Sequence, residues 1–259
     1  MYQIDAFAEN VFEGNPAAVC PLTEWLPTEI MQSIAAENNL SETAFFVPTE
    51  QGFHIRWFTP LVEVDLCGHA TLAAAYVIYH YLDYPKDMIQ FDSKSGLLTV
   101  SRNDDLIALD FPAQPPSVCQ TPPEIEQAFG IKPLACLKSE DYIVIFEKAA
   151  DVLEAQPNYE LLKGLDLRGV IITAASNSED IDFIARFFAP KCGINEDPVT
   201  GSAYTQLTPY WAEKLNLSKL KARQMSARGG HLFCELVGDR VKIAGKAISY
   251  LTGEINITP

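Results

Sequence analysis

Two short stretches of this 259-residue chain carry nearly the same sequence: residues 56–60 read RWFTP, and residues 186–190 read RFFAP. Each follows a strand-like segment and precedes an acidic loop that ends in a glycine, Gly68 or Gly201. The interval from arginine to glycine is 12 residues in the first copy and 15 in the second. Chance similarity of aromatic strand ends is the alternative. The shared order of strand, motif, loop, glycine and apolar helix favours a duplication.

The segments around these motifs predict a fold of short strands and two long helices. Residues 43–47, 142–146 and 169–173 are rich in β-branched, aromatic and aliphatic side chains, which is typical of strands. The runs that follow Gly68 and Gly201 are apolar on most faces, so each must be surrounded by protein. A sheet curled around a central helix in each half satisfies both observations. We therefore predict an α+β fold.

A proline-rich stretch separates the two halves. Residues 111–116 read FPAQPP, and residues 121–123 read TPP, a composition typical of linkers. We predict a first half at residues 1–113 and a second at 114–259. The extreme C-terminal strand is a candidate for return to the first half.

Composition excludes several classes of partner. The chain has 19 Lys and Arg against 34 Asp and Glu, a formal net charge of −15, and no cluster of basic residues, so we expect neither nucleic acid nor an anionic membrane as partner. The apolar stretch 70–82 is too short to span a bilayer. Six cysteines lack zinc-ligand spacing, and the first residues lack a signal-peptide pattern. We therefore expect a cytoplasmic protein with reduced thiols.

The helix starts at Gly68 and Gly201 are the first candidates for a binding site. The unpaired N–H groups and the positive dipole of a helix N-terminus favour a carboxylate or phosphate, which an acidic protein needs local groups to bind. The alternative is an ordinary helix start with glycine for packing. Asp197 before Pro198 has two compatible interpretations: an N-cap of the second helix, or a carboxylate at the site.

Three titratable residues lie near the first helix start. His69 follows Gly68, where the dipole disfavours its protonated form, so it is either a neutral proton-transfer group or a packed histidine. Glu42 begins an apolar strand and is either a desolvated general base or a solvated strand-end residue. Cys67 is either an activated thiol or a small buried residue. Its counterpart in the second copy is Thr200, which argues against a racemase with two thiols.

Several blocks together resemble the phenazine biosynthesis PhzF-like family. In family order, the blocks are residues 15–19 (NPAAV), 39–45 (NLSETAF), 56–60 (RWFTP), 65–71 (DLCGHAT), 196–203 (EDPVTGSA) and 224–230 (QMSARGG). The resemblance covers nearly the whole chain. It implies a fold similar to diaminopimelate epimerase, with two pseudo-symmetric halves, each a β-barrel wrapped around a central helix, and an active site in the cleft between them. It also implies a homodimer.

The resemblance further implies an isomerase without cofactor or metal. In the phenazine pathway, such an enzyme moves a proton on 2,3-dihydro-3-hydroxyanthranilate, a small carboxylate, through a glutamate that Glu42 matches. His69 and Asp197 match the residues that assist. The substrate-binding positions of the family are matched by Ser41, Gly68, Gly201 and Ser202.

Two alternatives remain beside this acid–base isomerase. One is an amino-acid racemase or epimerase that uses Cys67 with a partner that is not a thiol. Relatives of the epimerase type carry a cysteine at both helix starts, whereas this chain has one only at the first. The other is a family member that binds a small molecule or a protein without turnover.

Overall fold

The protein, described here by a computed structural model over residues 1–257, forms two compact units. The first unit comprises Met1–Asp110 together with the C-terminal segment that begins at Ala244, and the second comprises Phe111–Ile243. The boundary thus lies after residue 110, whereas the sequence placed it after residue 113. The last strand returns to the first unit, where it pairs with the N-terminal strand.

The secondary structure alternates short strands with a few helices. The elements up to the linker are β1 (Tyr2–Ala6), β2 (Asn15–Pro21), α1 (Thr28–Asn38), β3 (Glu42–Pro48), β4 (Phe53–Phe58), β5 (Glu63–Val64), α2 (Gly68–Tyr81), β6 (Met88–Ser93), β7 (Gly96–Asn103) and β8 (Leu106–Pro112). They are followed by β9 (Ser117–Val118), α3 (Pro123–Phe129), β10 (Ala135–Lys138), β11 (Tyr142–Ile145), α4 (Ala149–Leu153), α5 (Tyr159–Lys163), β12 (Val170–Ala175), β13 (Phe183–Ala189), a 3₁₀ turn (Pro190–Cys192), β14 (Ile194–Asp197), α6 (Gly201–Leu215), β15 (Lys219–Gln224), β16 (Gly230–Val237), β17 (Arg240–Gly245) and β18 (Ala247–Thr252).

The two units repeat one pattern of strand pairing. In the first, β2 and β3 are parallel, β3 and β4 antiparallel, β4 and β6 parallel, and β6 and β7 antiparallel. In the second, the same sequence of pairings joins β11, β12, β13, β15 and β16. The prediction of an α+β fold with two similar halves is therefore confirmed.

The register of the sheets aligns the two units residue by residue. Arg56 on β4 pairs with Phe45 on β3, and Arg186 on β13 pairs with Ile172 on β12. Because the two arginines begin the repeated motif, Phe45 and Ile172 are equivalent positions. Counting along β3 and β12 from this pair gives the equivalent of every neighbouring residue.

Each unit packs its sheet on one long helix. α2 contacts β1, β2, β3 and β18, and nearly all its side chains from His69 to Tyr79 are buried. α6 contacts β15 and β16 and is buried over most of its length. Such helices have no solvated face, so their stability depends on the sheet that covers them.

A proline inside α6 explains how the linker docks. Pro209 lacks an N–H, so the helix cannot satisfy the carbonyl of Thr205, four residues earlier. The backbone N–H of Gln114 donates to that carbonyl at 3.0 Å, and the Thr205 hydroxyl donates to Gln114 Oε1 at 2.6 Å. The proline-rich segment is therefore fixed to the central helix of the second unit.

Candidate active site

The first site lies where β3 begins and α2 begins. Glu42 is the first residue of β3, and His69 is the second residue of α2. His69 Nε2 lies 3.2 Å from Glu42 Oε2, and the two side chains are 6% and 15% exposed. The two residues that the sequence suggested for proton transfer are thus in direct contact, although 27 positions separate them.

Asn15 fixes the orientation and tautomer of this imidazole. Asn15 is fully buried at the start of β2, and its Nδ2 lies 3.3 Å from His69 Nδ1. Because an amide nitrogen is a donor, Nδ1 accepts, and the proton of the neutral ring is carried by Nε2. That N–H lies 3.2 Å from Oε2 of the Glu42 carboxylate, a close contact outside hydrogen-bond geometry.

Burial keeps His69 neutral. Removal from water lowers the pKa of His69 from 6.5 to about 3, because the charged imidazolium loses its hydration. At neutral pH, the group beside Glu42 is therefore a neutral imidazole rather than a cation. It contacts the carboxylate without neutralising it, which suits a carboxylate that accepts a proton.

Cys67 completes this cluster. Its Sγ lies 3.6 Å from His69 Nδ1, on the ring nitrogen opposite to the one that contacts Glu42. The three residues offer ligand atoms within 4.8 Å of one another, a set that could hold a metal ion such as zinc. A single ion binds only one ring nitrogen, however, and here the two nitrogens contact different partners. One ring nitrogen thus lies against the carboxylate and the other against the thiol, an arrangement that does not converge on one ion.

Asp197 is buried in the second unit, but it does not cap α6. It is the last residue of β14, and α6 begins at Gly201 with Thr200 at the N-cap position. The interpretation of Asp197 as an N-cap is therefore wrong, because the strand continues to residue 197 and three residues intervene before the helix. Its carboxylate instead accepts a hydrogen bond from the Thr200 hydroxyl.

Gln224 holds this Asp197–Thr200 contact in place. Its Nε2 donates to the backbone carbonyl of Asp197 at 2.9 Å, and its Oε1 accepts from the backbone N–H of Thr200 at 3.0 Å. Because Gln224 is 1% exposed, these bonds are fully desolvated. The turn that leads into α6 is thereby rigid.

Ser202, the second residue of α6, belongs to a separate polar network. Its Oγ accepts a hydrogen bond from Arg168 Nη2 at 3.1 Å. Arg168 forms a bidentate pair with Asp141, with distances of 3.0 Å from Nε to Oδ1 and 2.6 Å from Nη2 to Oδ2. Asp141 is fully buried and also accepts from Gln206 Nε2 at 2.8 Å.

The remaining candidates lie at the element ends that the sequence indicated. Gly68 opens α2 and Gly201 opens α6, so both predicted helix starts are confirmed. Ser41 immediately precedes Glu42 and is partly buried. Sequence reasoning gave no role to Asn15, Gln224, Arg168, Asp141 or Gln206. The available signal was a polar residue at the start or end of an apolar strand or inside an apolar helix.

The fold and these contacts define a class: α+β proteins of two similar units in which acid–base side chains gather at the start of a buried helix. The model of the PhzC-PhzF family, described as phenazine biosynthesis-like protein, matches residues 4–253. An uncharacterized isomerase of Pseudomonas aeruginosa is 49% identical, over 99% of this chain and 98% of its own length. The chain therefore belongs to the phenazine biosynthesis-like family, and it is an isomerase by that relationship.

Solved structures agree with this assignment. A protein of the phenazine biosynthesis PhzF family from Enterococcus faecalis has a TM-score of 0.96 and 47% identity, with 99% of this chain and 98% of that chain covered. A probable proline racemase from Agrobacterium radiobacter has a TM-score of 0.65 and 10% identity, over 100% of this chain and 93% of that chain. The second likeness shows the fold alone. Among the described residues, no helix has the length and apolar character needed to cross a membrane.

Proposed function

We propose that this protein is a cofactor-independent isomerase that moves a proton within a small carboxylate substrate, with Glu42 as the acid–base group. The observation that carries the proposal is the buried contact of Glu42 Oε2 with the neutral His69 Nε2. The reaction in its family, the isomerisation of 2,3-dihydro-3-hydroxyanthranilate, supplies the substrate class.

The reaction is balanced within the substrate and one carboxylate. Glu42 takes a proton from one substrate carbon, the double bond shifts, and the same group returns the proton to another carbon. His69 Nε2 lies against Oε2, so we assign the transfer to the other carboxylate oxygen, Oε1. No electron enters or leaves, and the product is an isomer of the substrate.

Binding of the substrate carboxylate is assigned to the helix starts. The first turns of α2 and α6 present backbone N–H groups that have no acceptor within the helix. Ser202 adds a hydroxyl at the start of α6, and Ser41 stands beside Glu42. In a chain with a net charge of −15, such local donors are the groups available to an anion.

A racemase or epimerase that uses Cys67 is the second candidate function. It is favoured by the distance of 3.6 Å between Cys67 Sγ and His69 Nδ1, and it requires the thiol to replace Asn15 as the donor to that nitrogen. Substitution of Cys67 by alanine separates the two functions. The Glu42 mechanism keeps its rate in this variant, whereas a thiol mechanism loses it.

Deuterium incorporation tests the proposal. Wild type and the Glu42→Gln variant are incubated in D₂O with 2,3-dihydro-3-hydroxyanthranilate and a panel of small amino and hydroxy acids, and exchange is followed by mass spectrometry. The variant is expected to lose roughly 10²- to 10⁴-fold in exchange rate, the usual contribution of a positioned acid–base group. Glu50→Gln, an exposed glutamate beyond the end of β3, is the matched control.

Full exchange by folded Glu42→Gln would refute the assignment. A wild type that binds a carboxylate of the panel without exchange would instead support a member that binds without turnover.

A further inference from the structure

Arg168 is held in one position by a fully buried carboxylate. Asp141 engages the guanidinium through both oxygens, and Gln206 bonds the same carboxylate and the Asp141 backbone N–H. The ring of Phe187 lies 5.3 Å from the guanidinium carbon. The Arg168 side chain is nevertheless 33% exposed.

The register of the two units makes Arg168 the equivalent of a candidate site residue. Phe45 and Ile172 are equivalent, so four residues earlier Ser41 is equivalent to Arg168. Ser41 immediately precedes Glu42, on the strand that carries the acid–base group. The second unit thus presents a cation at the position where the first unit presents a hydroxyl.

The hydrogen bond to Ser202 determines the direction of the serine hydroxyl. Arg168 Nη2 has no lone pair, so it can only donate, and Ser202 Oγ accepts. The Ser202 hydrogen must then point away from Arg168. It becomes a donor for an anion at the start of α6, and the nearby guanidinium strengthens that bond.

The position of Arg168 is not explained by the stability of α6. A cation beside a helix N-terminus opposes the helix dipole. Asp141 and Glu140 compensate the charge of the guanidinium, at 2.6 Å from Nη2 and 3.3 Å from Nη1. The attraction for a carboxylate at Ser202 therefore comes from the oriented hydroxyl and from the helix dipole.

We infer that Arg168 is a positioning residue for substrate binding: anchored by Asp141, it orients the Ser202 hydroxyl toward the carboxylate of the substrate. This inference rests on the proposed function, because it takes the substrate to be a carboxylate. It predicts that Arg168 governs affinity for the carboxylate and does not govern the proton transfer at Glu42.

Ligand titration of the full-length protein tests the inference with anthranilate as probe and aniline, the same ring without the carboxylate, as control ligand. Arg168→Gln alone would leave the buried Asp141 carboxylate without its cationic partner. The informative variant therefore combines Arg168→Gln with Asp141→Asn. It is expected to bind anthranilate roughly 10- to 100-fold more weakly, the value of a charge-assisted hydrogen bond, and aniline unchanged. Lys163→Gln combined with Glu160→Gln, which removes an exposed ion pair and likewise leaves the net charge unchanged, is the matched control.

A double-mutant cycle measures the coupling between Arg168 and Ser202 in anthranilate affinity. A purely structural role of Arg168 would give no such coupling. In a Ser202→Ala background, the same Arg168→Gln/Asp141→Asn change is expected to weaken anthranilate by no more than about twofold, the scatter of independent changes. Thermal unfolding of all variants shows whether they are folded at the temperature of the titration.

Each outcome supports or overturns the inference. Equal anthranilate affinity of wild type and the Arg168 variant overturns it, as does the same loss with and without the Ser202 hydroxyl, or a wild type that binds no carboxylate. If Arg168 controls anthranilate binding while Glu42→Gln keeps full deuterium exchange, the inference stands and the proposed acid–base function fails. If exchange depends on Glu42 but binding does not depend on Arg168, the acid–base function stands and the inference fails.

Discussion

The two units share one scaffold and differ in chemistry. Arg56 and Arg186 occupy equivalent strands, and each forms a two-bond pair with a glutamate of the short strand that follows, Glu63 in β5 or Glu196 in β14, with distances between 2.7 and 3.0 Å. Each guanidinium also lies about 5 Å from the ring of the phenylalanine two residues further along its strand. These pairs hold the short strand before each central helix, and they are present in both copies.

The site residues have not been retained in the same way. Counting from the aligned register, the equivalent of Glu42 is Gly169. The equivalents at the helix start are His69 and Ser202, and one residue before the helix are Cys67 and Thr200. At these positions the first unit therefore carries titratable side chains, and the second carries a glycine and two hydroxyls. The two units share the groups that the fold requires and differ in the chemistry of their helix starts.

The largest expected effect separates the two proposed roles, proton transfer beside His69 and substrate binding at the equivalent residue, Ser202. His69→Leu removes the imidazole that contacts Glu42, and we expect kcat to fall about 10²- to 10³-fold with a smaller change in KM. Ser202→Ala should raise KM about tenfold with kcat nearly unchanged, because it removes a binding contact. Steady-state kinetics on the substrate found by deuterium exchange measures both. Equal decreases in kcat for the two variants would contradict the assignment of proton transfer to one helix start and substrate binding to the other.

The next effect concerns stability at the equivalent of Glu42. A Cβ on Gly169 would lie 2.8 Å from both a ring atom of Phe187 and the backbone oxygen of Phe188, so Gly169→Ala must displace the backbone of β13. We expect a loss of about 2–3 kcal/mol in the free energy of unfolding. Glu42→Ala should change it by less than about 1 kcal/mol, since that site already holds a side chain. Urea denaturation of both variants checks the contrast; a fully stable Gly169→Ala would contradict it.

The smallest expected effect is a dependence on pH that only the first helix start can produce. The pKa of His69 falls from 6.5 to about 3 on burial. Between pH 6.5 and pH 3, the imidazole is therefore protonated in the unfolded chain and neutral in the folded chain. The stability contributed by neutral His69 is present above pH 6.5 and is lost as the pH falls toward 3. Between pH 7 and 5, this loss is about 2 kcal/mol.

Unfolding measured at pH 7 and pH 5 isolates this contribution from that of the carboxylates. His69→Gln should lose less stability than wild type over this interval, and Ser202→Ala should lose as much as wild type. Parallel losses in all three proteins would show that the imidazole is not kept neutral by the fold.

The sequence predicted the features that depend on local order. A glycine before an apolar run marks a helix start wherever it occurs, so Gly68 and Gly201 were found. The repeated arginine motif predicted the two similar halves because both strands belong to one local pattern. The N-cap role of Asp197 was wrong, since a strand that runs to residue 197 leaves the cap position to Thr200.

The contacts that assemble the sites could not be predicted in the same way. Asn15 meets His69 across 54 positions, and Arg168 meets Asp141 and Ser202 across 27 and 34. No periodicity or spacing links such residues, because the sheet register brings them together. The resemblance to the family singled out Glu42 and His69, but the residues that orient them appear only with the tertiary structure.

The return of β18 to the first unit imposes an order on synthesis. The second unit is one continuous segment of chain, whereas the first lacks the strand that pairs with β1 and contacts α2 until the last residues have been made. Because domains fold as units during translation, the second unit can fold on the ribosome before β18 has been made to complete the first. A chain cut after residue 243 would keep every residue of the second unit and would leave β1 without its pairing to β18.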